Sequence, residues 1–382
     1  MQSDISALIA RRIRQDVQSM HAYAIQDSKG MVKLDAMENP HRLSLTLQAE
    51  LGARLGALAL NRYPDGRVND LRKALADYAA MPEGFDIMLG NGSDELISLL
   101  AMACDVPVEP GGKKPVVLAP LPGFVMYAMS AQLQGLDFVG VPLTPDFELD
   151  AAAMCTAIAQ HQPAIVYLAY PNNPTANLWD AAAMAQVVRA AGEVGSIVVL
   201  DEAYQPFSSR SYIDVIRANP GAHGHVLLMR TLSKFGLAGV RLGYMMGAKA
   251  LIAEVDKVRP PYNISVLNCE CALFALEHAD TFAAQAENIR AQRQRLLDAL
   301  RAMPGVQPFN SDANMILVRI SALAGEGAGT DTAQKVFDGL KARGILVKNV
   351  SKMHPLLANC LRLTVGTADE NTRLLAALSE IL

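Results

Sequence analysis

The sequence predicts an α/β protein, with a mostly parallel central sheet in a large domain followed by a smaller α+β domain. Three observations carry this. Short apolar segments alternate with helical ones through the middle of the chain. Those segments are continuously apolar, as strands covered on both faces must be. Beyond about residue 250 the rhythm gives way to a long, charged, helical stretch and a second set of strands.

The candidate strands of the large domain are Asp86–Leu89, Pro115–Ala119, Asp137–Val141, Ala164–Ala169, Ser196–Leu200 and His225–Met229. Ser93–Cys104 and Ala181–Ala191 read as helices between them. In the C-terminal part a helix over Thr281–Ala302 precedes strands at Met315–Ile320, Ile345–Val347 and Leu361–Thr364. Helices are expected at Thr332–Ala342 and Asn371–Leu382, the latter placing Leu374, Leu375, Leu378, Ile381 and Leu382 on one face. Gly325–Gly329 reads as a flexible surface loop. The expected division is an N-terminal arm (1–40) joining the small domain, a large domain (41–260) and a small domain (261–382).

Composition narrows the function classes. The 382 residues are 51% hydrophobic and 19% charged, with a net charge of −4, which excludes a disordered chain. There are no Lys/Arg blocks, so nucleic acid is not the expected partner. No apolar run approaches the roughly 20 residues that span a bilayer. Ala7–Ala10 runs straight into Arg11-Arg12, unlike a signal-peptide core. Five scattered cysteines fit a reducing compartment, with Cys269 and Cys271 read as buried thiols rather than metal ligands. A cytoplasmic protein without a metal is the expectation.

Four segments carry chemistry, each at the carboxyl end of a strand or the start of a helix, where ligands bind in such sheets. Leu89-Gly90-Asn91-Gly92-Ser93-Asp94-Glu95 runs from a strand through a glycine turn into a helix whose first N–H groups can take an anion, although the same pattern also makes an ordinary capped turn. Tyr170-Pro171-Asn172-Asn173-Pro174-Thr175 fixes an Asn amide at the end of Ala164–Ala169. Asp201-Glu202-Ala203-Tyr204 sets a carboxylate at the end of a buried strand, where it binds a metal or a cationic ring, or caps a helix. Thr231-Leu232-Ser233-Lys234 brings a lysine to the mouth of the sheet beside Asp201. There it can form a Schiff base with a carbonyl if its pKa falls below about 10.4.

One cofactor needs all of these groups. Pyridoxal 5'-phosphate requires an anion site, a lysine, a carboxylate on its ring nitrogen and donors to its phenolic oxygen. Tyr204 and Asn173 can serve that oxygen, and Ser233 and Arg241 can add contacts to the phosphate.

With these motifs in place, the sequence resembles the fold-type-I pyridoxal-phosphate aminotransferases over nearly its whole length, and most closely the histidinol-phosphate aminotransferases. The narrower resemblance rests on Lys33-Leu34-Asp35-Ala36-Met37-Glu38-Asn39-Pro40, Asn61-Arg62-Tyr63-Pro64-Asp65-Gly66 and Cys360-Leu361-Arg362-Leu363-Thr364-Val365-Gly366. It implies that Lys234 holds the cofactor and Asp201 pairs with its ring nitrogen. It implies that Ser93, Asp94, Ser233 and Arg241 take the phosphate and that Phe124 stacks on the ring. Tyr63 would reach the cofactor phosphate of a partner subunit in a homodimer with shared active sites. Tyr23, Asn173 and Arg362 match substrate-binding positions.

The sequence departs from the family pattern at three places. Ala176 replaces the usual Gly after Asn-Pro-Thr, which predicts a turn without a strongly positive φ. Arg241 follows Lys234 by seven residues, one fewer than in many relatives. Lys348 stands where a second arginine for the substrate phosphate is expected; it keeps the charge but loses the bidentate fork. The implied reaction is amino transfer between histidinol phosphate and 2-oxoglutarate, giving imidazole acetol phosphate and glutamate in histidine biosynthesis. The rival readings are an aromatic amino-acid aminotransferase, a phospho-threonine-type decarboxylase and a non-catalytic cofactor-binding module. The intact Lys234 and Asp201 argue against the last.

Overall fold

A computed structural model describes residues 5–20, 27–321 and 331–382 of the chain. Gly325–Gly329 and Tyr23 lie outside the described residues. The strands, in chain order, are β1 (Val32–Lys33), β2 (Phe85–Gly90), β3 (Val116–Leu121), β4 (Asp137–Pro142), β5 (Ile165–Ala169), β6 (Ile197–Asp201), β7 (Val226–Thr231), β8 (Gly243–Ala248), β9 (Val306–Pro308), β10 (Met315–Ile320), β11 (Ile345–Leu346), β12 (Lys348–Asn349) and β13 (Cys360–Thr364). Seven of them form one sheet in the order β2-β8-β7-β6-β5-β3-β4. Pairing is parallel from β4 through β7, and β8 runs antiparallel between β7 and β2.

Burial explains why these strands are apolar throughout. Successive residues of a strand point to opposite faces. Val166, Leu168, Val198, Leu200 and Leu228 join a core on one face; Ile165, Tyr167, Val199, Leu227 and Met229 join a core on the other. The first core takes Leu71 and Leu75 from helix Arg67–Tyr78 and Met154 and Ile158 from helix Ala151–His161. The second takes Leu96, Ile97 and Leu100 from helix Ser93–Ala103 and Tyr127 and Ala131 from helix Val125–Gln134.

A second sheet, β12-β13-β10-β9, is wholly antiparallel and packs with helices Ala279–Arg301, Thr332–Ala342 and Ala368–Ile381 around a third core. The last helix begins with a capping box between Thr367 and Glu370 and buries Leu374 and Leu378, with Leu375, Ile381 and Leu382 half-covered. The N-terminal β1 pairs in parallel with β11, and the Thr364 amide donates to the Leu34 carbonyl at 3.0 Å. The segment that follows β1 is thereby fastened to the C-terminal part before it crosses the mouth of the large sheet.

Two expectations need correction. Ala176 does adopt a positive φ, +67°. The turn is held there by the Ala176 amide donating to Asn172 O at 2.8 Å and by the Asp312 amide donating to Ala176 O at 2.8 Å. A left-handed alanine costs roughly 1–2 kcal/mol, and its fully buried methyl group is packed in the third core as an offset. Of the cysteines, Cys269 and Cys360 are buried, whereas Cys104, Cys155 and Cys271 are only half-buried.

Candidate active site

The carboxyl ends of β5, β6 and β7 open on a cavity of about 350 Å³. Its wall brings together nine of the residues singled out in the sequence: Ser93, Asp94, Phe124, Asn173, Asp201, Tyr204, Ser233, Lys234 and Arg241. The parallel pairing explains the central juxtaposition. Asp201 ends β6 opposite Met229 of β7, and Lys234 follows β7 in a tight π-turn, Ser233–Leu237.

Asp201 is buried and receives two hydrogen bonds. The Tyr127 hydroxyl donates to Oδ2 at 2.6 Å and the Ala203 amide donates to Oδ1 at 3.0 Å. Burial raises its pKa to about 6, against the pull of these two donors. Lys234 shows the opposite shift. Burial first, then the positive charges of Arg362 and Arg241, lower its pKa to about 8. Its ammonium donates to the Ala36 carbonyl at 3.0 Å and lies 6.0 Å from the centre of the Tyr204 ring.

The anion site is built at the start of helix Ser93–Ala103. No side chain caps this helix, so Ser93 and Asp94 present the first-turn amides. Gly92, the residue before, has φ +84°, and a Cβ there would come within 2.5 Å of the Arg241 guanidinium. Glycine therefore lets the arginine lie against the helix start. Arg241 Nη1 donates to Ser233 Oγ at 3.4 Å and Nη2 approaches Asp94 Oδ2 at 3.5 Å. Arg241 itself takes a left-handed conformation (φ +57°).

Arg362 stands one layer behind the cavity wall. It is buried, its Nη1 donates to Asn173 Oδ1 at 2.7 Å, and its Nη2 donates to the Asp35 carbonyl at 2.8 Å. With its oxygen taken by Arg362, the Asn173 amide nitrogen is the end left to donate into the cavity. Lys348 is half-buried and does not line the cavity. Antiparallel register nevertheless places it directly opposite Arg362, so both side chains leave the same face of the sheet. Tyr63 is also absent from the wall. It is 78% exposed and stacks on Tyr262 with ring centroids 4.6 Å apart.

Three contributors escaped the sequence. Tyr127 lies in the first turn of the helix that Phe124 precedes, three residues beyond it, a spacing that could have suggested it. The carbonyls of Asp35 and Ala36 hold Arg362 and Lys234 through backbone atoms, which no residue motif encodes. Glu202, next to Asp201, forms a buried ion pair with Arg230 of β7 at 2.9 Å and also accepts from Ser211 and the Tyr212 amide. With its partners satisfied this pair ties the ends of β6 and β7 together; breaking it by removing one member would cost about 3–5 kcal/mol.

Residues 30–378 match the aminotransferase class I and II family. The chain is 70% identical over 380 residues to a histidinol-phosphate aminotransferase of Polaromonas naphthalenivorans (strain CJ2), covering 100% of this chain and 99% of that protein. The chain belongs to the class I and II aminotransferases. Within that family it is also 68% identical to a histidinol-phosphate aminotransferase of Methylibium petroleiphilum (strain ATCC BAA-1232 / LMG 22953 / PM1), covering 98% and 95% of the two chains. Among solved structures, the histidinol-phosphate aminotransferase from Sinorhizobium meliloti in complex with pyridoxal-5'-phosphate matches with a TM-score of 0.81 at 25% identity, covering 97% of each chain. The aminotransferase fold-type-I architecture, α/β with a mixed central sheet, is thus the one described above.

The family's cofactor is pyridoxal 5'-phosphate, and the residues present fit it. Asp201 is a buried carboxylate that no basic side chain pairs with among the described residues, as a cationic ring nitrogen requires. The uncapped helix start with Arg241 and Ser233 suits a phosphate. Lys234 has the lowered pKa that an amine nucleophile needs.

Proposed function

We propose that this aminotransferase moves the amino group between histidinol phosphate and 2-oxoglutarate, as a cytoplasmic homodimer with composite active sites. The observation that carries the reading is the convergence of Lys234, Asp201 and Asn173 on one cavity, with Arg362 bonded to Asn173 behind its wall, in a chain about 70% identical to a histidinol-phosphate aminotransferase. We assign residues 1–40 to an arm joining the small domain, 41–260 to the cofactor domain and 261–382 to the small domain. No helix among the described residues is long and apolar enough to cross a membrane.

When bound, the cofactor supplies an electron sink for the carbanion formed at the substrate's Cα. The chain supplies the rest. Asp201 would pair with the ring nitrogen, Phe124 would cover the ring, and Tyr204 and Asn173 would donate to the phenolic oxygen. Ser93, Asp94, Ser233 and Arg241 would hold the phosphate. Lys234 would anchor the cofactor and, as a free amine, would take the proton from the substrate's Cα. Its pKa of about 8 suits a base working near neutral pH. Arg362 binds the substrate anion, a phosphate or a carboxylate, in exchange for the neutral Asp35 carbonyl, a stronger hydrogen bond than the one released. Lys348 adds charge behind it for the phosphate, and Tyr23 is assigned to the substrate as well.

Side-by-side kcat/KM values for histidinol phosphate, phenylalanine and tyrosine test the substrate. Histidinol phosphate should lead; equal turnover of unphosphorylated histidinol, or a lead for an aromatic amino acid, overturns the assignment. Arg362→Ala should weaken both histidinol phosphate and glutamate by roughly 1.5–3 kcal/mol in transition-state binding. Lys348→Ala should affect the phosphorylated substrate alone.

The composite site has its own test. Tyr63 is exposed at a turn of its own chain, where it would serve the neighbour's cofactor phosphate. A two-fold interface makes that contact twice. Lys234→Ala and Tyr63→Ala subunits are each nearly inactive, but a mixed dimer has one whole site. After complete exchange of equal amounts, activity should recover to about a quarter of wild type. Exchange confirmed by native mass measurement without recovery shows that Tyr63 does not act across the interface.

A further inference from the structure

We propose that Tyr127 is a positioning residue that keeps a proton on the cofactor's ring nitrogen by holding Asp201 in its ionised form. This rests on the cofactor assignment above and assigns a role to a side chain outside the motifs.

The geometry is specific. Tyr127 is buried, and its hydroxyl donates to Asp201 Oδ2 at 2.6 Å. Its ring is clamped: it stacks on Tyr167 at 4.2 Å and 7°, and meets Phe124 edge-on at 5.5 Å and 85°. A hydroxyl on so fixed a ring has one aim. The titratable groups around Asp201 are Tyr127 from helix Val125–Gln134, Tyr167 from β5, Asp94 from helix Ser93–Ala103, and Glu202 and Tyr204 from its own segment. Asp94 and Glu202 oppose ionisation by like charge. Among the described residues, Tyr127 is the side chain that hydrogen-bonds the carboxylate, beside one backbone donor at Ala203.

A carboxylate and a pyridine nitrogen facing each other in a dry site share one proton. Where it rests depends on which partner is the stronger base. A hydrogen bond donated to the carboxylate stabilises its charged form and weakens it as a base. The proton then stays on the ring nitrogen, the form that accepts electrons. Without the hydroxyl, burial favours the neutral pair, with the proton on Asp201. The same ring braces Phe124, so a purely structural role is the competing explanation.

Ligand binding by the cofactor-free protein separates the two. Wild type and Tyr127→Phe, which keeps both ring contacts, are titrated with pyridoxal 5'-phosphate and with its analogue carrying C–H in place of the ring nitrogen. The Phe variant should bind the natural cofactor about 10-fold more weakly and the analogue nearly as well as wild type does. A ¹⁵N label in the cofactor should shift toward the unprotonated pyridine value in the variant. Equal losses for both ligands, no loss for either, or an unchanged ¹⁵N signal overturn the proposal. Failure of the wild-type protein to bind pyridoxal 5'-phosphate at all would instead remove the cofactor assignment.

Discussion

Lys234→Ala should carry no covalently bound cofactor and lose turnover by about 10⁴-fold or more, the upper range for a general base, because the same amine also anchors the cofactor. Borohydride reduction of the wild type should fix the cofactor on the peptide containing Lys234, and the variant should show no label there. A label on another lysine ends the assignment. The lowered pKa adds a pH signature. Only the free amine attacks a carbonyl, so cofactor uptake should rise about tenfold per pH unit below 8 and level off above it. The Arg362 cation is one of the charges that depress Lys234. Its removal in Arg362→Ala should therefore move the uptake profile toward higher pH.

Asp201→Asn should act in opposite directions on stability and on catalysis. In the cofactor-free protein the buried carboxyl has a pKa raised from 3.8 to about 6. A raised folded-state pKa means that the native state binds the proton more tightly than the unfolded chain does. The resulting stabilisation is full below about pH 4 and is lost as the pH climbs through 6. Relative to acid, the ionised group then costs on the order of 3 kcal/mol. Asn carries no charge, so the cofactor-free variant should melt higher than cofactor-free wild type at pH 8, with the difference vanishing near pH 4. With cofactor the order reverses in function. Without an anion opposite the ring nitrogen, the barrier should rise by about 4 kcal/mol, roughly a thousandfold in kcat. A variant with near-normal kcat contradicts the role of Asp201. One with unchanged cofactor-free melting contradicts the desolvation argument.

Most of the large sheet was legible because its strands are buried on both faces and bounded by turns. Val198-Val199-Leu200-Asp201 announces both a strand and its functional end. β8 escaped. Its sequence, Gly-Tyr-Met-Met-Gly-Ala, is poor in β-branched residues. Gly243 is there for proximity: a Cβ would lie 2.6 Å from the Ser93 amide nitrogen. β1 and β12, two residues each, are too short to show any period and exist through their tertiary partners. The site was legible where side-chain type is chemistry, as at Lys234, Asp201 and Arg241. It was opaque where the chemistry runs through the backbone, or through a phenol indistinguishable in sequence from core packing, as at Tyr127. Ala176 shows a further limit. There the turn's hydrogen bonds and the buried methyl outweigh the residue's own conformational preference.

The two adjacent carbonyls at Asp35 and Ala36 have a consequence for which changes in chain length the protein tolerates. One peptide unit receives Arg362 and the next receives Lys234. The segment is pinned on either side, at Leu34 by the Thr364 amide and at Asn39 by its side-chain bond to the Phe235 carbonyl. One residue inserted between these pins would displace the downstream carbonyl by about 3.3 Å, a full strand step, and no single substitution elsewhere could restore both contacts. The exposed turn at Lys29-Gly30, a few residues earlier, bears no such constraint. In a library of single-codon insertions, survivors should accumulate at Lys29-Gly30 and be absent from Asp35 to Met37, so that here the spacing of the chain is under as tight a selection as the identity of its lysine.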